Sequence, residues 1–188
     1  MNMSGFSFIE KLRNKIRIKP NNHIQVGKNT RIRYCDIHVN GKNNHLIIHD
    51  GANLKGVSIE LNGENCTLEI GTNCVIGENC FFSCRERNTQ LFIGDNCMFS
   101  RNVKIMTSDG HDILRDGKRI NLAKSIYIGS RVWLADNVTV LKGVSIGNGS
   151  IVGINSTVTH SVADNSAAAG NPARVIADSI VWQEELTF

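Results

Sequence analysis

The 188-residue chain is short of aromatic side chains, which make up 6% of it, and it contains two prolines. A core without aromatic bulk has to be filled with aliphatic residues, which suits thin repeated strands better than a thick sandwich. No Cys-x-x-Cys pair occurs among Cys35, Cys66, Cys74, Cys80, Cys84 and Cys97, so the usual spacing of a zinc site is missing. No apolar run is long enough for a signal peptide or a membrane span, and the chain is expected to be cytoplasmic with reduced cysteines. A formal net charge of +4 suits an anionic ligand such as a phosphorylated cofactor. It is too weak to argue for nucleic acid.

What is present is a period of six. Aliphatic residues stand at Ile128, Leu134, Val140, Ile146, Val152 and Val158, and a small or β-branched residue follows four positions after each: Val132, Val138, Val144, Ser150, Ser156 and Val162. No helix has that period, and a plain amphipathic strand does not reset every six residues. One short strand and one corner per hexapeptide account for it. Three hexapeptides make a triangular coil of about 18 residues, and stacked coils pair as parallel strands. The aliphatic residue fills the prism, the small one fits near a corner, and glycines serve corners of unusual φ/ψ. Ile70-Gly-Thr-Asn-Cys-Val, Ile76-Gly-Glu-Asn-Cys-Phe and Ile93-Gly-Asp-Asn-Cys-Met continue the pattern upstream. Cys74, Cys80 and Cys97 then occupy the small inward position as small hydrophobes. Asn40-Gly-Lys-Asn-Asn-His-Leu-Ile-Ile returns 22 residues later as Asn62-Gly-Glu-Asn-Cys-Thr-Leu-Glu-Ile, which implies coils with a few extra residues at one corner.

The expectation is a single all-β domain, a parallel β-helix over residues 26–163. Residues 1–25 form an N-terminal cap with a helix from Ser7 to Ile18. Residues 164–188 close the other end, with an extended segment from Ala167 to Ile176 and a short helix from Ala177 to Leu186. Trp182 would pack on that end or on a neighbouring subunit. The repeat fails between Ile105 and Ile128, so residues 107–125 must leave the prism as a loop. Loops on rigid scaffolds are where function concentrates, and this one carries His111 beside Gly110 and flanked by Asp109 and Asp112.

Ile128-Gly-Ser-Arg-Val-Trp, Gly170-Asn-Pro-Ala-Arg-Val-Ile, Ser108-Asp-Gly-His and Ser179-Ile-Val-Trp together resemble the hexapeptide-repeat acyltransferases, in the branch that O-acetylates sialic acid, capsular and other surface polysaccharides. The match covers roughly Ile93 to Trp182. The resemblance implies a left-handed β-helix, a homotrimer and acetyl-CoA as donor, with no metal. The left hand rests on the family alone, since most crossovers are right-handed. The family's catalytic histidine maps to His111, a general base whose unperturbed pKa near 6.5 suits proton abstraction from a sugar hydroxyl. Trp133, Asp109 and Ser83 are the candidate acceptor contacts. Ala135, Ile154, Thr159, His160 and Arg174 are the candidate contacts to coenzyme A, with Arg174 suited to a phosphate. The chain departs from the family where Thr159-His160-Ser161 replaces Thr-Lys-Asp, so His160 would have to supply the basic contact.

Two other acceptor classes, amino sugars and small xenobiotics, stay open, as does a scaffold without chemistry. A further class is a β-helix metalloprotein of the carbonic anhydrase kind, suggested by His38, His45 and His49. Four residues of extended strand put His45 and His49 about 13 Å apart, too far for one ion unless a turn intervenes.

Overall fold

The computed structural model describes residues 5–185. The chain winds as a left-handed-type β-solenoid with three faces. Face one stacks strands Lys15–Ile18, Asp36–Lys42, Ser58–Glu64, Phe81–Arg87, Lys104–Met106, Thr139–Val140 and Thr157–Val158. Face two stacks His23–Val26, His45–Ile48, Thr67–Ile70, Gln90–Ile93, Ile126–Ile128 and Ser145–Ile146. Face three stacks Arg31–Arg33, Asn53–Lys55, Val75–Ile76, Met98–Phe99, Trp133–Leu134, Ile151–Val152 and Ala167–Gly170. All these neighbours pair parallel, and the in-register pairs Met98↔Trp133↔Ile151 and Lys104↔Thr139↔Thr157 show that each coil copies the one below it.

The period of six decides what is buried. Ile128, Leu134, Val140, Ile146, Val152 and Val158 are all inside, as are their small companions Val132, Val138, Val144, Ser150 and Ser156. The two buried serines are satisfied: Ser150 Oγ donates to the Ala163 carbonyl at 2.7 Å, and Ser156 Oγ accepts the Gly170 N–H at 2.9 Å. All six cysteines are buried thiols, and burial pushes the Cys80 thiol up to about 11. The extra residues of the earlier coils lie at the corner between faces one and two. There the seven-residue strands Asp36–Lys42, Ser58–Glu64 and Phe81–Arg87 run past the usual length in register. At their ends Glu64 sits between Lys42 at 3.1 Å and Arg87 at 3.4 Å.

Both ends of the chain differ from the expectation. The N-terminal helix spans only Phe8–Arg13, with Ser7 and Glu10 forming a capping box. Asn14 stops it: its Nδ2 donates to the carbonyls of Glu10 (2.7 Å) and Ile32 (2.8 Å), and its Oδ1 accepts the Cys35 N–H at 2.8 Å. From Lys15 the chain is already a strand paired with Asp36–Val39. The solenoid therefore begins ahead of Val26, and Ile16 packs on the core as a strand residue. At the other end Ala167–Gly170 and Ala173–Ala177 form an antiparallel hairpin on face three. Past Ala177 the described residues form no helix, and Leu186 lies outside them. Trp182 does not plug the end. It folds back along face three, buried, with its indole N–H donating to the Arg131 carbonyl at 2.7 Å.

Close stacking makes certain glycines obligatory. A Cβ on Gly63 would run into the Glu86 carbonyl oxygen of the next coil, whereas one on Gly153 would meet the Ala169 methyl at 3.1 Å. Gly63→Ala is expected to cost about 1–3 kcal/mol as overpacking against rigid backbone. Gly153→Ala should cost less. Chemical denaturation of the two variants against wild type checks the order.

Candidate functional site

The connection from Lys104–Met106 on face one to Ile126–Ile128 on face two carries His111. It departs cleanly because Thr107 N–H donates to the Ser83 carbonyl (3.0 Å), and Lys124 N–H returns to the Thr107 carbonyl (2.9 Å). Its tip is an antiparallel ribbon, Leu114–Arg115 with Lys118–Arg119. The two residues between, Asp116 and Gly117, both have positive φ, the pairing that tight hairpins favour. Residues from Asp109 to Lys118 are exposed, including Ile113 (52%) and Leu114 (61%). His111 is among them, and its ring makes no hydrogen bond among the described residues.

Polar contacts to neighbouring coils hold this segment. Glu86, from the coil below, accepts both forks of the Arg119 guanidinium (2.9 and 2.7 Å) and the Ser108 hydroxyl (2.6 Å). Arg119 Nε also pairs with Asp112 at 2.9 Å. Ser108 Oγ in turn accepts the Gly110 N–H at 3.0 Å. From the coil above, Lys142 Nζ donates to the Asp109 carboxylate and to the Asn121 carbonyl at 2.9 Å. The Arg119 guanidinium holds the Glu86 carboxyl below the usual carboxylate range, and the Lys142 ammonium does the same for Asp109. Beside the loop lies an open groove of about 880 Å³, walled by Lys42, Glu64, Glu86, Arg87, Arg119 and Leu122.

The candidate residues fall into three places. Asp109 and His111 share the loop, but the Asp109 carboxylate is engaged by Lys142 and Asn121 rather than open. Ser83 lies at the loop base, 3% exposed, so it offers no open acceptor contact within this chain. Trp133 is on face three, opposite the corner that bears His111. It is half-buried, 6.0 Å from the Trp182 ring, with its N–H 3.4 Å from Ser100 Oγ. One chain therefore does not bring His111 and Trp133 together. Ala135 and Ile154 occupy corners between faces three and one, Ile154 60% exposed. Past the end of face one, the Thr159 hydroxyl lies 2.8 Å from His160 Nδ1. His160 and Arg174 line one groove of about 350 Å³ with Val175.

The histidines behind the metal reading are dispersed. His38 is on face one, His45 is on face two stacked on His23 at 4.6 Å, and His49 bonds Glu69 at 2.7 Å. Among the described residues no group of three His, Cys, Asp or Glu could hold a metal ion, and no helix is long and apolar enough to cross a membrane. The residues that sequence reasoning missed are Glu86, Arg119, Asn121 and Lys142. They converge only because coils stack, and nothing in their local sequence marks them.

Both anchoring carboxylates have depressed folded-state pKa values. Their contribution is complete above the unfolded values near 4 and is lost as pH falls through the folded ones. Amide exchange of the loop, corrected for intrinsic rates, should therefore accelerate as pH drops below about 4, while the face strands stay protected. Glu86→Gln should show faster loop exchange already at neutral pH.

No protein-family model matches the chain. Over 85 residues it is 41% identical to polysialic acid O-acetyltransferase of Escherichia coli O1:K1, a stretch that is 44% of this chain and 28% of that protein's length. The crystal structure of the polySia-specific acetyltransferase NeuO matches with a TM-score of 0.77 and 32% identity, covering 92% of this chain and 90% of that one. A hexapeptide-repeat acetyltransferase from Vibrio cholerae, complexed with acetyl coenzyme A, matches at 26% identity with a TM-score of 0.52, covering 64% and 67%. The 32% identity along 90% of the NeuO chain makes this chain a member of the hexapeptide-repeat O-acetyltransferase family, on the branch of the polysialic acid enzymes.

Proposed function

We propose that the chain is an acetyl-CoA-dependent O-acetyltransferase that modifies a hydroxyl of a surface or capsular polysaccharide or its precursor. The observation that carries this reading is His111, displayed on an exposed loop that neighbouring coils brace from both sides. The names of the relatives support it: one acts on polysialic acid, another has acetyl coenzyme A bound.

In this reading the His111 imidazole takes the proton of a sugar hydroxyl. The oxygen attacks the thioester carbonyl, the tetrahedral oxyanion is held by backbone N–H groups, and coenzyme A leaves as the thiol. The proton that makes the leaving sulfur a thiol is the one the imidazole took from the hydroxyl, and its delivery returns His111 to the neutral form. No metal is needed. His160 and Arg174, sharing a groove at the C-terminal end, are the partners for phosphate groups, and the exposed Ile154 and the backbone near Ala135 flank the pantetheine arm.

A homotrimer completes the site. His111 and Trp133 stand on opposite sides of one prism, so a neighbour's face three has to meet the loop for both to serve one acceptor. Ile113, Leu114, Ile120 and Leu122 are each more than half exposed on the loop, and such an apolar surface suits burial against a second copy.

Thiol release from acetyl-CoA with polysialic acid as acceptor, together with mass spectrometry of the product, tests the function. Wild type should release thiol and add acetyl groups. No transfer to polysialic acid or to a panel of capsular polysaccharides would overturn the reading. His111→Ala is expected to lower kcat by about 10²–10⁴-fold, the usual worth of a general base. A folded variant with undiminished transfer would sink that role. Arg174→Ala should raise the KM for acetyl-CoA several-fold at unchanged kcat, and the difference should shrink with a donor lacking the 3′-phosphate.

A further inference from the structure

The loop that displays His111 has little apolar packing of its own, since the residues from Asp109 to Lys118 are exposed. One side chain nevertheless ties the residues on either side of the histidine together. Asn121 is 8% exposed and uses its whole amide. Its Nδ2 donates to the His111 carbonyl and to Asp109 Oδ2, both at 2.8 Å, and its Oδ1 accepts the Ile113 N–H at 2.8 Å. Residues 109, 111 and 113 are thus gripped by a single planar group, with the His111 peptide in the middle. The Asn121 backbone is itself held, because its carbonyl accepts Lys142 Nζ at 2.9 Å.

We propose that Asn121 is the positioning residue for His111: its carboxamide fixes the backbone from 109 to 113 so that the imidazole is presented in one orientation. The proposal rests on the reading of His111 as general base. An amide is required because two donors and an acceptor act from one rigid plane. An aspartate of the same shape keeps the bond from Ile113 but loses both donors, and it sets a second carboxylate against Asp109. Alanine loses all three bonds and leaves the His111 carbonyl to water. A misplacement of about 1 Å at a catalytic group is enough to cost roughly 10²-fold in rate. Asn121 is buried and spends its amide on bonds within the loop, so its loss should appear in kcat and spare donor binding.

The full-length protein is compared as wild type, Asn121→Ala, Asn121→Asp, His111→Ala and the Asn121→Ala/His111→Ala double variant, with acetyl-CoA and polysialic acid as substrates. Asn121→Ala and Asn121→Asp are expected to lose about 10–100-fold in kcat, with the KM for acetyl-CoA within twofold of wild type. The double variant should be no slower than His111→Ala, because a positioning residue has nothing left to position. Amide exchange gives a second readout that needs no acceptor: the Ile113 amide should lose its protection in Asn121→Ala while the strands of the three faces keep theirs. An Ile113 amide that stays protected overturns the clamp whatever the kinetics. A rate loss that is as large without His111 as with it overturns the positioning role. If His111→Ala is fully active, the general-base reading falls and this role falls with it. If His111→Ala is inactive and Asn121→Ala is fully active, the general-base reading stands and only the role of Asn121 fails.

Discussion

Each face of the solenoid has to end in a turn tight enough to start the next one, and most of the residues that make these turns are asparagines at positive φ. Asn73, Asn79, Asn96, Asn102, Asn137, Asn155 and Asn165 all lie between φ 53° and 62°. A left-handed conformation costs an ordinary L-residue about 1–2 kcal/mol, and asparagine tolerates it better than most. Stacking adds a second reason. The Asn102 carboxamide donates to Asn137 at 2.9 Å, and Asn137 donates to Asn155 at 2.8 Å, so along this edge of the prism one corner amide partners the next. The corners therefore set both the angle between faces and the register between coils. Without that register Glu86, Asn121 and Lys142 would not arrive at the same loop.

The strict phase from Ile128 onward made the prism legible, and the failure of that phase between Ile105 and Ile128 made the loop legible. The asparagine corners were in view too, in Ile-Gly-x-Asn-Cys, but the turning role went to the glycines. Several glycines are instead needed where another coil's backbone leaves no room for a Cβ, as at Gly63. Apolar spacing at Ile9, Leu12 and Ile16 suggested one helix. The open edge of Asp36–Lys42 and the three bonds of Asn14 won the last part of it for the sheet. Trp133 shows a different limit. Its neighbour Trp182 comes from a tail that folds back from 49 positions further along, and no local pattern announces that return.

The loop and the solenoid divide the work. Aliphatic stacking supplies a scaffold with few degrees of freedom, and the loop itself adds little apolar burial. Its shape is carried by charge-assisted bonds, Glu86 to Arg119 and Asp109 to Lys142, which are shorter and stronger than neutral ones. Such bonds are directional where apolar contacts are not, which gives a fixed shape to a segment that buries little of itself within the chain.

The loop's two braces come from adjacent coils on either side of it, Glu86 from one and Lys142 from the other. This indexes the histidine to the axial pitch of the prism. The coils on the N-terminal side of Glu60 supply neither anchor. A coil inserted between Glu86 and Lys142 pulls the anchors apart by one repeat. The few coils around the loop therefore form one mechanical unit, whatever the length of the rod on its N-terminal side.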